Sequence, residues 1–245
     1  VKTFPSITAR VGGIMCYKSQ QMNDRSPARG ARAGARQLLG VSLVAVGASL
    51  TVLAPHAGAD DAARGRQLYQ LCAACHGPAG QGNQRYAAPA IAGLDRWYLE
   101  AQLTKFKAGA RGFRAEDGEG LQMRPMARAL GSEQDVKAVA AYVASLAPVS
   151  PPPTVAGDAE RGRTTYVTCG ACHGDRGQGN AALAAPPLAR QADWYLVAQL
   201  RKFRQGLRGT HPHDTTGAQM RPLALTLPDD RALADVVAYI RTLAR

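Results

Sequence analysis

Aromatic side chains are scarce: two Trp, eight Tyr and four Phe in 245 residues leave little bulk with which to fill a core. No useful run alternates apolar and polar positions, which argues against sheet-based folds and leaves the helical period as the one that recurs. Acidic residues are outnumbered, 18 against 30 Lys and Arg. There is one long apolar run, residues 38–54, so a multispan membrane protein is excluded. What is present, 46% apolar and 20% charged residues, suits a folded chain rather than a disordered or collagen-like one. With 26 Gly and 15 Pro, much of that fold must be turn and loop. A bound prosthetic group would supply the missing apolar volume.

Residues 1–59 read as a processing region. Met22 precedes Arg25, Arg29, Arg32 and Arg36, then the apolar core at 38–54, then Ala57-Gly58-Ala59, the order of a signal peptide cleaved after Ala59. An uncleaved membrane anchor is the competing reading, because 17 apolar residues lie at the short limit for spanning a bilayer. Without this segment 23 basic and 17 acidic side chains remain, so most of the basicity belongs to the leader and nucleic acid is not indicated as a partner. Lys105, Lys107, Arg111, Arg201, Lys202, Arg204 and Arg208 cluster around the central helices. A solvated helix face is the plainer reading of them, a docking patch the other.

The remaining chain matches itself without gaps at an offset of 97 residues. Arg64-Gly65 and Tyr69 return as Arg161-Gly162 and Tyr166, and Gly80-Gln81-Gly82-Asn83 as Gly177-Gln178-Gly179-Asn180. Trp97-Tyr98 returns as Trp194-Tyr195, and Gln122-Met123-Arg124-Pro125 as Gln219-Met220-Arg221-Pro222. The expected organisation is a domain at 60–147, a stiff proline-rich linker at 148–157 and a second domain at 158–245, both all-α. Leu99, Leu103 and Phe106, with Leu196, Leu200 and Phe203, predict one amphipathic helix per copy. A last helix starts at Ser132 and buries Val136, Val139, Val143 and Leu146; Leu233, Val236, Ile240 and Leu243 repeat it. Segments 77–94 and 107–121 are long for structureless loops, unless they wrap a large group.

Cys72-Ala-Ala-Cys75-His76 and Cys169-Gly-Ala-Cys172-His173 are both CxxCH, the attachment pattern of c-type haem. At a helix end, residues i, i+3 and i+4 share a face, so two thiols can form thioethers while the imidazole meets the iron. Three other readings use the same letters. A structural zinc would not require each pair to sit at the same place in a duplicated unit. A thiol–disulfide oxidoreductase motif belongs beside a strand in a βαβ pattern. Structural CxxC disulfides would leave the histidines unexplained.

Met123 and Met220 each lie 47 residues beyond their histidine, inside the repeated QMRP, and are the candidate sixth ligands. Met126 competes in the first copy, but Leu223 stands at the matching position. His211 and His213 have no histidine at the matching positions of the first copy and read as exposed loop residues, with ligation of the second iron as the alternative. Core filling is the bland reading of any methionine, but these two recur at matched spacing in what reads as a loop rich in Gly, Arg and Pro. Pro89 and Pro186 are candidates to orient the two histidines through their carbonyls. Trp97, Tyr98, Arg124 and their copies are candidates for the haem propionates.

Paired CxxCH, the segments APAIAG and RWYLEAQL, a methionine followed by AxxL, and a helix ending in AYVASL resemble the dihaem cytochromes of the cytochrome c4 family, each half similar to a class I cytochrome c. The resemblance implies two tandem domains, each wrapped around a covalently bound haem c. It implies iron ligation by His76 with Met123 and by His173 with Met220. It further implies a periplasmic carrier, not an enzyme, moving single electrons between a membrane respiratory complex or dehydrogenase and a terminal oxidase or reductase, with peripheral attachment to the inner membrane in some members. Arg190, where the first copy has Gly93, departs from the repeat and leaves the turn before Trp194 open. A haem enzyme of peroxidase or thiosulfate oxidoreductase type, and a fixed cytochrome subunit of a larger enzyme, are the other classes.

Overall fold

The computed structural model describes residues 57–243; the segment 1–56, with the apolar run and the reading of it as a signal peptide, lies outside them. Each copy contributes four helices. The first has α1 (Ala57–His76), α2 (Arg96–Ala108), α3 (Gly118–Arg128) and α4 (Glu133–Ser145). The second has α5 (Ala159–His173), α6 (Asp193–Arg204), α7 (Thr215–Leu225) and α8 (Asp230–Thr242). Among the described residues extended structure is limited to two single bridges, Asn83 with Ala88 and Asn180 with Ala185. No helix among them is long and apolar enough to cross a membrane.

The helices expected from periodicity form where their caps allow. Ser132 opens α4, its hydroxyl accepting from the Asp135 backbone N–H at 3.0 Å, and Asp229 opens α8 in the same way through Ala232 at 2.8 Å. Val136, Val139 and Val143 are buried on α4, and Leu233, Val236 and Ile240 on α8. Leu146 and Leu243 are partly buried against the same clusters. Helix α2 closes at Gly109, whose φ of 79° is the left-handed conformation that ends helices.

α3 and α7 are where the structure departs from the sequence reading. Met123 and Met220 stand on helices, not in loops. Gly118, Gly120 and Pro125 make the first of these windows poor in helix propensity, and Gly217 and Pro222 do so in the second. What opens the helices is a buried aspartate cap, Asp117 accepting from Gly120 N–H at 3.1 Å and Asp214 from Gly217 N–H at 3.2 Å.

The core of each copy is a helix crossing, α1 on α4 and α5 on α8. Glycine lets the backbones meet there: a Cβ on Gly65 would come 2.3 Å from the Ala138 carbonyl oxygen, and one on Gly162 1.9 Å from that of Asp235. One turn on, Tyr69 meets Tyr142 and Tyr166 meets Tyr239, with ring centroids 5.3 Å apart in both pairs. Each inner tyrosine donates its hydroxyl to the glycine carbonyl that follows its CxxCH, at 2.6 Å from Tyr69 to Gly77 and 2.7 Å from Tyr166 to Gly174. Burial pushes both phenols up to about 12.

The chain between α4 and α5 is tied to the second copy. Asp193, 1% exposed, accepts from the Thr154 and Val155 backbone N–H groups at 2.6 and 2.9 Å and from the Thr154 hydroxyl at 2.8 Å. Arg241 donates to the Pro151 carbonyl at 2.6 Å. Stiffness here therefore comes from specific bonds as well as from proline. At the departure from the repeat, Arg190 keeps φ at 68°, the value of Gly93, so the turn is preserved.

Candidate cofactor sites

Helix α1 ends in Cys72, Cys75 and His76, and the loop that follows folds back over them. Gly82 N–H bonds the His76 carbonyl at 2.8 Å, the Asn83–Ala88 bridge closes the turn, and the Pro89 carbonyl lies 2.8 Å from His76 Nδ1. The second copy repeats each step, with Pro186 2.7 Å from His173 Nδ1. A proline carbonyl only accepts, so Nδ1 carries the hydrogen and the Nε2 lone pair is left for a metal. Burial lowers the pKa of both histidines below the ordinary imidazole value, with the proline carbonyl opposing it, so both rings are neutral. Segments 77–94 and 174–191 are thus ordered by the groups they position.

Each copy holds an apolar cavity. The first, about 1480 Å³ counted with its open mouth, brings Cys72, Cys75, His76 and Met123 together on its wall, with Met126 beside them. The second, about 960 Å³ on the same measure, brings together Cys169, His173 and Met220. Cys172 is half-buried one turn along α5 from Cys169, outside that lining. His211 and His213 line neither cavity; the His211 ring lies 5.1 Å from Phe113 and 5.5 Å from His213.

The competing readings of the cysteines fare poorly in this geometry. Burial, then the neighbouring Cys75, pushes the Cys72 thiol up to about 11, and burial raises Cys169 as well, the reverse of an activated redox thiol. Among the described residues no cluster of three or more His, Cys, Asp or Glu is arranged to hold a metal ion, as a structural zinc would need.

Both cavities open on a seam between the copies, which pseudo-twofold pairs hold together. Lys105 donates to Asp214 at 2.6 Å and to the Thr216 hydroxyl; Lys202 donates to Asp117 and to Glu119, the latter at 2.7 Å. Arg111 bonds Gln102 at 2.7 Å and Gln199 at 3.2 Å, while Arg208 bonds Gln199 at 2.8 Å and Gln102 at 3.3 Å. This corrects the reading of the basic cluster as a solvated face. Lys105 and Lys202 are 13% and 12% exposed in their side chains, and Arg111 and Arg208 are buried. Arg201 and Arg204 do face solvent, paired to Asp230. No local pattern marks these contacts, because each lysine and its partner lie far apart in the chain.

The residues present fit a covalently attached haem. The first cavity offers two thiols, an imidazole nitrogen and a thioether sulfur; the second offers the same set with one thiol, Cys169, on its wall and Cys172 one turn along the helix. The buried Arg111 and Arg208, stacked over Phe106 and Phe203 at 4.2 and 4.5 Å, make their bonds to glutamine amides, and their Nε atoms have no partner. Burial and the nearby charge of Arg111 lower the Arg208 pKa, which is the mark of a site short of negative charge. The propionates of two haems would supply it. Of the residues the sequence offered for the propionates, Trp97 donates to Asp95 at 3.2 Å and Arg124 to the Gly112 carbonyl at 3.1 Å, while the buried Nε atoms of Arg124 and Arg221 are likewise without a partner.

The seam makes stability depend on pH. Burial raises the Asp214 pKa, but the Lys105 hydrogen bond and charge, the Arg208 charge and the Gly217 N–H outweigh it and hold the carboxyl below its usual value. A depressed carboxylate stabilises the fold above its unfolded pKa, and that stability is lost as pH falls through the folded value. The holoprotein is therefore expected to lose thermal stability below about pH 4. Asp214→Asn should flatten that acid limb in melting curves, and an unchanged limb would assign the acid sensitivity elsewhere.

The family model for cytochrome c matches residues 62–147 and again 159–244. Cytochrome c4 of Azotobacter vinelandii is 34% identical, over 79% of this chain and 93% of its own length. The thiosulfate dehydrogenase electron acceptor of Stutzerimonas stutzeri (strain A1501) is also 34% identical, over 73% of this chain and 87% of that protein. Among solved structures, reduced recombinant cytochrome c4 from Pseudomonas stutzeri superposes with a TM-score of 0.57 at 29% identity, covering 74% of this chain and 97% of that one. Thiosulfate dehydrogenase (TsdBA) from Marichromatium purpuratum gives a TM-score of 0.60 at 33% identity, over 74% of this chain but only 40% of that longer chain.

Proposed function

Because the chain belongs to the cytochrome c family, as a dihaem member of the cytochrome c4 type with two covalently bound haem c groups, we propose that it is a periplasmic one-electron carrier. It would link a dehydrogenase or membrane respiratory complex to a terminal oxidase or reductase. Each haem supplies a ferric/ferrous couple that stores one electron. Cys72 and Cys75, and Cys169 and Cys172, would hold the groups as thioethers. His76 and His173 would ligate through Nε2, held in place by Pro89 and Pro186.

The observation that carries the reading is that Met123 and Met220 lie in equivalent cavities with the two histidines, each presented by a short capped helix. With Met123 and Met220 as ligands beside His76 and His173, neither site would leave an open position for substrate. Thioether sulfur also favours the reduced state relative to two nitrogen ligands, which suits a carrier of high potential. Arg111 and Arg208 would neutralise the propionates where both cavities meet the seam.

A second reading is supported by the similarity to the thiosulfate dehydrogenase structure: that this chain itself oxidises thiosulfate. The name of the Stutzerimonas relative favours instead a dehydrogenase as electron donor. The oxidised holoprotein, mixed with thiosulfate alone, distinguishes them. A carrier stays oxidised until a dehydrogenase is added, and its weak long-wavelength sulfur-to-iron charge-transfer absorption accounts for both irons. Direct reduction by thiosulfate, or rapid carbon monoxide binding by the reduced form, would establish the enzyme reading.

A further inference from the structure

We infer that each half of the chain fixes the methionine of the other: Lys105 of the first copy is a positioning residue for Met220, and Lys202 of the second for Met123. The inference rests on the reading of both methionines as axial ligands.

Asp117 and Asp214 are the residues that open α3 and α7, and each methionine follows its cap by six residues on the same helix. Each cap carboxylate faces two ways. It accepts from the first turn of its own helix, at Gly120 or Gly217, and it receives an ammonium from the opposite copy. The lysine makes a second bond two residues further on, Lys105 to the Thr216 hydroxyl and Lys202 to Glu119. The foreign lysine therefore spans the first turn rather than touching one point.

The helix starts have little room to move. A Cβ on Gly120 or Gly217 would come 2.1 Å from the cap carboxylate. Behind them, Gly112 and Gly209, at φ 66° and 77°, bring the preceding loop so close that a Cβ there would lie 2.2 and 2.4 Å from the Gly120 and Gly217 carbonyl oxygens. The caps themselves are 3% and 0% exposed in their side chains. A carboxylate so placed is tolerated only with its cation; without it, the relief is to turn towards water, and the first turn moves with it. An eleven-residue helix transmits that displacement to the methionine as a rigid element.

The alternative is local support, and it predicts the opposite assignment. Lys105 lies on α2, which packs on α3 of its own copy, so a purely structural effect of its loss would fall on Met123. Holoprotein with Lys105→Met is expected to lose about half of the long-wavelength absorption. Adding Met220→Ala to it should then change nothing more, while adding Met123→Ala together with Met126→Ala, so that no methionine is left in the first cavity, should remove the rest. Lys202→Met should give the reverse assignment. Thr216→Val, a milder change at the same clamp, is expected to speed displacement of one methionine by added imidazole about tenfold, again at the second iron.

The inference alone falls if wild type shows the absorption for both irons and the lysine variants keep all of it, lose the half belonging to their own copy, or lose both halves together. Wild type lacking the absorption would instead remove the ligation reading on which the inference stands.

Discussion

Met220→Ala is expected to lower one of the two reduction potentials on the order of 0.2 V, within the roughly 0.8 V span that axial ligands command. The other should stay close to its wild-type value. Helix α7 presents Met220 to the cavity that His173 shares, and no other methionine among the lining residues stands ready to replace it. On the proposed ligation, loss of the thioether would remove the ligand that favours the reduced state and would leave a position for water or an added ligand. The reduced variant should therefore bind carbon monoxide at one haem of two. The first copy offers an informative contrast, because Met126 lies in the same cavity as Met123. Met123→Ala can be compensated there in a way that Met220→Ala cannot. Spectroelectrochemical titration of both variants measures this. Two unchanged potentials in Met220→Ala would show that sulfur is not the sixth ligand of the second iron.

The second large effect is on folding. In Gly162→Ala the new methyl carbon would sit 1.9 Å from the Asp235 carbonyl oxygen, a backbone atom that cannot rotate away. The α5–α8 crossing must then open, separating Leu233, Val236 and Val237, all within 1% of complete burial, from their partners. Overpacking of this kind costs about 3 kcal/mol, or on the order of 10 °C in melting temperature for a domain of this size. The corresponding distance for Gly65 is 2.3 Å, so Gly65→Ala should act in the same direction on the first copy. Melting followed by far-ultraviolet circular dichroism on holoprotein tests both. Wild-type stability in Gly162→Ala would mean that the crossing has slack which the backbone geometry denies.

Much of this molecule was legible before any coordinates. Duplication did most of the work: a CxxCH at one place is a motif, but the same motif at equal distance from a matched methionine defines an arrangement. Helices α2, α4, α6 and α8 were readable because their buried faces obey the helical period. Helices α3 and α7 were not, because glycine and proline dominate their sequence and the stabilising cap has its charge partner more than a hundred residues away in one case, from Lys105 to Asp214. Lys105 and Arg111 looked like solvated charges for the same reason. Burial of a lysine against another domain leaves no trace in its neighbours along the chain. Arg190 taught the converse lesson. Gly93 lies so near Pro148 that a Cβ would come 2.6 Å from its ring, whereas Arg190 is exposed and adopts the same left-handed turn.

The pairing across the seam is reciprocal, each copy contributing one lysine and receiving another. A surface built that way is complementary to itself as well as to its neighbour. An ancestral single unit with the same face would have joined two identical chains, and fusing them required only a tether. Once joined, the two sides were free to diverge: the linker rests on Asp193, where the first copy has Arg96, and the arginine of the opening helix finds its acid at Asp135 in one copy and at Asp235 in the other.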